Sequence, residues 1–158
     1  MKKKLAVIVF IAILLAALCI IIAVRQKVAP KNDTKINMYD NAEDAISAAS
    51  FDMEYPDRLC GSPALDFEAN SSTIEITYGA SGFIRKTLGV NDNSGSDSNL
   101  PESSTEEING MTVIFKGRDS KIYQASWSYN NFAYTISINE ENGGIDKDEM
   151  TDYIQSTR

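Results

Sequence analysis

Histidine is absent from the 158 residues, and only two cysteines and one tryptophan occur. Without imidazole the chain lacks the commonest general base near neutral pH and the commonest zinc ligand. The two cysteines, Cys19 and Cys60, are too few for a disulfide-dense scaffold. Cys19 falls inside a long apolar run, so Cys60 stands alone in the polar remainder, with no internal disulfide to join. A catalytic thiol needs a neighbouring base to lower its pKa. With no histidine to supply one, Cys60 reads as a small buried hydrophobe.

Positive charge is also scarce. Fifteen basic residues stand against 22 acidic ones, a net of −7, which excludes the basic footprint of a nucleic-acid-binding domain. Neither S-x-x-K nor G-x-S-x-G occurs, and no two carboxylates are singled out as a glycosidase pair. The loop Asn91-Asp92-Asn93-Ser94-Gly95-Ser96-Asp97 is dense in oxygen ligands. Counted from Asp92, however, an EF-hand would need glycine where Asp97 stands and glutamate where Ser103 stands. No cofactor is implied and no metal site is assigned.

What is present begins with residues 5–24, LAVIVFIAILLAALCIIIAV, which hold no charge, proline or glycine. As a helix, twenty residues rise about 30 Å, the hydrocarbon thickness of a bilayer. Signal-peptide apolar regions run to only about 7–15 residues. No small-x-small cleavage site follows the run, since Lys27 occupies the −3 position ahead of Ala29 and Pro30 comes next. Leu18 before Cys19 disfavours a lipoprotein site. The segment is therefore expected to be an uncleaved signal anchor, with the membrane as its first partner.

The basic residues Lys2, Lys3 and Lys4 on one side nearly balance Arg25, Lys27, Lys31 and Lys35 on the other. The remainder decides the orientation. From Val28 onward ten basic residues face all 22 acidic ones, a net of −12. A three-lysine tail ahead of an apolar run has the form of an export signal. The expected organisation is a cytoplasmic tail at 1–4, a membrane anchor at 5–24, a polar tether at 25–39 and an acidic extracytoplasmic domain at 40–158.

Within that domain the hydrophobic periods predict an α+β fold. Asp40-Asn41-Ala42-Glu43 has the form of a capping box, and Ala42, Ala45, Ile46 and Ala49 make a helical stripe. Phe51, Met53 and Tyr55 read as an extended stretch, and 57–63 as loop. Residues 73–78 alternate as a half-buried strand that turns at 79–82 and returns along 83–88. Residues 89–106 read as a long acidic loop. Asn109-Gly110 is a hairpin signal that joins a short strand through Ile108 to a strand at 111–116. Turns are expected at 117–120 and 129–131, between strands at 121–127 and 132–138. Asp146-Lys147-Asp148-Glu149, with Ile145 and Met150 as a hydrophobic staple, opens a closing helix striped by Met150, Tyr153 and Ile154. The prediction is an antiparallel meander of about five to six strands with both helices on one face.

Several of these residues carry a resemblance. Ile84-Arg85-Lys86 with Gly89, Asp92 with Ser94-Gly95, and Gly110-Met-Thr-Val-Ile-Phe-Lys116-Gly117 come first. Ala125-Ser-Trp127, Tyr134-Thr-Ile136 and Met150-Thr-Asp-Tyr-Ile154 follow. Across about half the chain this pattern resembles a family of membrane-anchored or secreted extracytoplasmic proteins of unknown function from Gram-positive, clostridia-type bacteria. The resemblance implies an exported α+β domain and brings no activity, ligand or catalytic residue with it.

Candidate binding residues are Arg85, Lys86 and Asp92. Arg85-Lys86 is the only adjacent basic pair in the acidic domain, suited to a phosphate or carboxylate on an envelope polymer or protein. Against this, neighbours in a strand face opposite sides, and Arg85 could instead pin the acidic loop through Asp92 or another carboxylate. Tyr123, Trp127, Tyr129, Phe132 and Tyr134 read as cross-strand core packing before they read as a partner surface. The expected function is a non-catalytic binding or sensing module at the cell envelope. The alternatives are a small carboxylate- or serine-dependent envelope hydrolase, signalled by a serine against Lys116 or Lys121, and an apolar-ligand carrier.

Overall fold

A computed structural model describes residues 35–89 and 100–158. The apolar run 5–24, most of the tether and the Asp92 loop lie outside the described residues, and among those residues no helix is long and apolar enough to cross a membrane. The described chain is α+β: mainly antiparallel sheet, with two helices.

The first strand, β1 (Asn37–Tyr39), lies inside the stretch read as tether. It is held at the sheet edge by antiparallel pairing to β4 (Asp66–Asn70), Met38 opposite Glu68. Helix α1 (Ala42–Ala49) starts one residue later than the capping-box reading places it. Its cap is Asn41, in extended conformation, whose side-chain oxygen accepts from the Asp44 N–H at 3.0 Å. The helix stops at Ser50, which takes a left-handed φ of 62°. Residues 57–63, read as loop, contain a miniature hairpin of β2 (Arg58–Leu59) and β3 (Ser62–Pro63), turned by Cys60 and Gly61 at φ 47° and 81°.

Strands β5 (Thr73–Thr77) and β6 (Gly82–Leu88) follow the alternation of Ile74, Ile76 and Ile84. Gly82 is required where β6 begins. Its φ is 142°, and a Cβ there would stand 1.9 Å from the Ser137 carbonyl oxygen. The short strand expected through Ile108 is β7 (Glu102–Ile108), which reaches back over 102–106 of the stretch read as a long acidic loop, a length that the polar sequence ESSTEEI conceals.

Strands β7, β8 (Met111–Arg118), β9 (Lys121–Tyr129) and β10 (Phe132–Ile138) are joined by three two-residue turns, Asn109-Gly110, Asp119-Ser120 and Asn130-Asn131. All six turn residues have positive φ, the geometry whose twist matches paired strands. The second turn is tighter than the four-residue one expected, because Gly117 and Arg118 stay in the strand beyond a register shift at Lys116/Gly117 that leaves Tyr123 as the extra residue. Eight strands form one sheet in the order β1-β4-β5-β6-β10-β9-β8-β7, with β2-β3 apart. That exceeds the five or six expected: β1 lies in the stretch read as tether, β7 runs into the stretch read as loop, and β4 is a five-residue strand whose alternation rests on Phe67 and Ala69 alone.

Helix α2 (Lys147–Gln155) begins at Asp146, as expected, but the Asp146 side chain does not cap it. The carboxylate instead accepts from Lys121 Nζ at 2.7 Å. Ile145 and Met150, the staple pair, are buried.

The registers line up the core. Ala69, Ile74, Lys86, Tyr134, Trp127 and Val113 run across one row of the sheet, and Phe67, Ile76, Ile84, Ile136, Ala125 and Phe115 across the next. Ala45 and Ala49 of α1 and Met150 and Ile154 of α2 join these rows in one apolar cluster, so both helices cover the same face. Each large aliphatic side chain buried there contributes roughly 1.5–3 kcal/mol. The small alanine side chains let α1 sit close against β4 and β5.

Candidate functional site

Strand β6 carries the adjacent basic pair and, being a strand, sends its two members to opposite faces. Arg85 lies on the outer face, directly opposite Glu75 of β5. Its Nε donates to Glu75 Oε2 at 2.6 Å, and a terminal guanidinium nitrogen stands 2.5 Å from the same oxygen. The guanidinium also lies 4.9 Å from the Phe83 ring centre. Arg85 thus binds a carboxylate, as one of the sequence readings had it, but that carboxylate belongs to the neighbouring strand, where the expectation was a pin on the acidic loop or an external anion. Asp92 itself lies outside the described residues.

Lys86 points the other way, into the core row, and is only 7% exposed. Its ammonium donates to the Asp52 carbonyl at 2.5 Å. It also sits 4.6, 5.3 and 5.7 Å from the ring centres of Phe132, Tyr134 and Phe51. Burial lowers its pKa from the ordinary value, with Asp52 and Glu54 pulling it back up. The aromatic faces and the carbonyl replace part of the water the ammonium has lost. Lys86 fastens the segment after α1 to the sheet. Arg85 and Lys86 therefore do not form a single binding patch.

The aromatic residues divide as well. Trp127 and Tyr134, paired across β9 and β10, stack with ring centres 5.1 Å apart and planes at 3°. Phe51 and Phe132 meet at 4.9 Å. These rings are core. Tyr129, 45% exposed, is the member of the group that reaches solvent. Cys60, expected to be buried, is only partly so. Tyr153, on α2, accepts from the Cys60 N–H at 2.9 Å, and desolvation, with Glu149 adding to it, raises the thiol pKa, which suits an inert side chain.

The outer face holds the feature that sequence reasoning missed. Across the start of β8, the end of β9 and the start of β10, an open trough of about 460 Å³ is lined by Thr112, Ile114, Ser126, Ser128 and Ala133, with Met111 at its end. Only the parity of small residues on three neighbouring strands signals it, and reading that parity requires the register. Three further ion pairs lie elsewhere among the described residues. Arg118 stands 3.5 Å from Glu140, Lys121 meets Asp146, and Lys147 pairs with Glu106. Lys121 thus meets a carboxylate where the serine-hydrolase alternative asks for a serine. Among the described residues no three histidine, cysteine, aspartate or glutamate side chains gather in a way that could hold a metal ion.

Comparison of the chain with protein-family models, with curated proteins and with solved structures finds no match.

Proposed function

We propose that the protein is a membrane-anchored module of the cell envelope, held by residues 5–24 with its acidic domain outside the cytoplasm, and that it binds or senses an envelope component without catalysing a reaction. In this reading it stands with the anchored or secreted Gram-positive proteins its sequence pattern resembles. The observation that carries the binding role is the open trough on the outer sheet face. Its floor is strand backbone and short side chains, fixed by the register of β8, β9 and β10. The exposed Thr112 and Ser128 hydroxyls and the Ile114 side chain rim a floor in which Ser126 and Ala133 are buried, a rigid arrangement that suits recognition. The location rests on the apolar run and on the contrast between a basic membrane end and a folded part of net charge −12.

Two measurements test the reading. Protease added to intact cells is expected to cleave within 40–158; a domain left untouched until the membrane is permeabilised would refute the outside placement. Full-length protein carrying a photo-crosslinker beside the trough is expected to give one recurrent adduct in its own membrane, lost when Ser126→Trp fills the trough. An adduct that survives Ser126→Trp would move the binding role elsewhere, and repeated absence of any adduct would count against binding.

A further inference from the structure

We propose that the free edge of β7 receives an extended segment of another polypeptide, added as a further antiparallel strand. That segment carries lysine or arginine at two positions four residues apart, with an apolar residue midway. The inference rests on the binding-module reading and names the partner's chemistry.

Strand β7 pairs with β8 on one side, and among the described residues no strand lies on the other. The two-residue turn fixes which backbone groups are free. Ile108 and Met111 close the turn as a hydrogen-bonded pair, and such pairs alternate along an antiparallel ladder. Glu106, Ser104 and Glu102 therefore also bond to β8, while Ser103, Thr105 and Glu107 turn their N–H and C=O groups outward. These three residues are exposed. The edge is a template for strand addition, in which main-chain bonds give affinity and side chains give selectivity.

Selectivity comes from the side chains of the same strand. Glu102 and Glu106, four apart, lie on the side of the sheet that faces α2. Glu102 Oε2 accepts from the Ser120 N–H at 3.1 Å and Glu106 Oε1 pairs with Lys147, so each has its second carboxylate oxygen left to meet a partner's cation. Beside them, between β7 and the start of α2, is a cavity of about 210 Å³ lined by Phe115, Ile122, Ser104 and Lys147 among others. An added strand would set its residue opposite Ser104 over this cavity and its second neighbours on either side opposite the two glutamates. The required pattern is basic-x-apolar-x-basic. The acidic edge disfavours acidic strands, another copy of β7 included, and gives neutral ones no ion pair.

The chain's own basic stretch fits poorly. With Lys31 and Lys35 opposite the glutamates, Asp33 would fall over the cavity. With Lys27 and Lys31 there, Pro30 would stand opposite Ser103 with no N–H to donate. The occupant is accordingly a separate polypeptide.

The test uses full-length protein in mild detergent and the labelled peptide Thr-Lys-Thr-Val-Thr-Lys-Thr, followed by fluorescence anisotropy. Saturable binding is expected. It should weaken at least tenfold on Thr105→Pro, which removes an outward N–H while leaving the bonds to β8 in place. N-methylation of the two threonines flanking the valine should have the same effect, without altering the protein. Glu102→Gln with Glu106→Gln should weaken this peptide but not its all-threonine counterpart. Circular dichroism checks that each variant keeps its strands. No binding, or binding indifferent to both backbone changes, overturns the proposal. Self-association abolished by Thr105→Pro would overturn it in favour of a second copy. A membrane crosslink to an envelope component that persists with Thr105→Pro would remove the edge while leaving the broader reading intact.

Discussion

Replacing Lys86 separates what its stem contributes from what its charge contributes. In Lys86→Ala about three buried methylenes are lost, worth ~0.8 kcal/mol each, or about 2.4 kcal/mol together. The ammonium's bond to the Asp52 carbonyl is worth ~1.5–3 kcal/mol as a charged hydrogen bond. Its contacts with three rings add ~0.5–2 kcal/mol. Both are offset by several kcal/mol of desolvation for a cation in a site only 7% exposed. Lys86→Met keeps the stem and discards both the bond and the desolvation. Lys86→Met should therefore lie within about 1 kcal/mol of wild type at pH 7, and Lys86→Ala should lose about 2–3 kcal/mol. Urea unfolding followed by Trp127 emission measures both, because that single indole stacks on Tyr134 beside the ammonium. If Lys86→Met loses as much as Lys86→Ala, the charge is the stabilising part and the reasoning from the stem is wrong.

The same lysine gives a pH signature. Its folded pKa lies below the ordinary 10.5, so between the two values the unfolded chain holds more protons and wild-type stability rises with pH. Wild type should gain on Lys86→Met through that alkaline window and run parallel to it below. The buried tyrosines, among them Tyr78 and Tyr134 with raised pKa values, act in the opposite sense above about pH 10 but cancel in the difference. At the helix starts, Asn41→Ala should cost about 1 kcal/mol. Asp146→Ala should cost near zero, because it caps nothing and its pair with Lys121 is exposed. Equal effects in thermal melts would contradict the caps assigned. Gly82→Ala, which drives a methyl group onto the Ser137 carbonyl, should lose more than about 3 kcal/mol, and an unchanged melting point would refute the close approach between β6 and β10.

What the sequence made legible was whatever its periodicity encodes. Ile74, Ile76 and Ile84 announce β5 and β6, Asn109-Gly110 announces its turn, and Met150 with Ile154 announces α2. Strands β1 and β4 escaped because they are short, three and five residues, and β7 was legible only at Ile108 because the rest of it is polar. The sequence ESSTEEI becomes a strand only through pairing with β8, a tertiary cause that no local propensity carries. The candidate site was half legible. Parity separated Arg85 from Lys86, but which of them faced the core depended on Ile84 sharing a row with Ile76 and Ile136. That Glu75 stands opposite Arg85, and that three aromatic rings surround Lys86, follows from register and from the path of residues 51–53. The trough was invisible for the same reason.

The sheet order also says how the molecule comes together in time. Apart from β1, which joins β4 across 28 to 32 residues, its two halves, β4-β5-β6 and β10-β9-β8-β7, are built from neighbours in sequence. Short turns close hairpins of this kind in about 1–10 μs. The halves meet along one seam, β6 against β10, whose partners stand 44 to 56 residues apart, from Leu88–Phe132 to Gly82–Ile138. Among the strand pairings of this sheet it closes the longest loop. Substitutions along β6 and β10 should therefore slow folding, whereas those at the outer hairpins should chiefly hasten unfolding. Residues 89–101, which bridge the halves, set the closure entropy only logarithmically, so the chain can lengthen there at small kinetic expense.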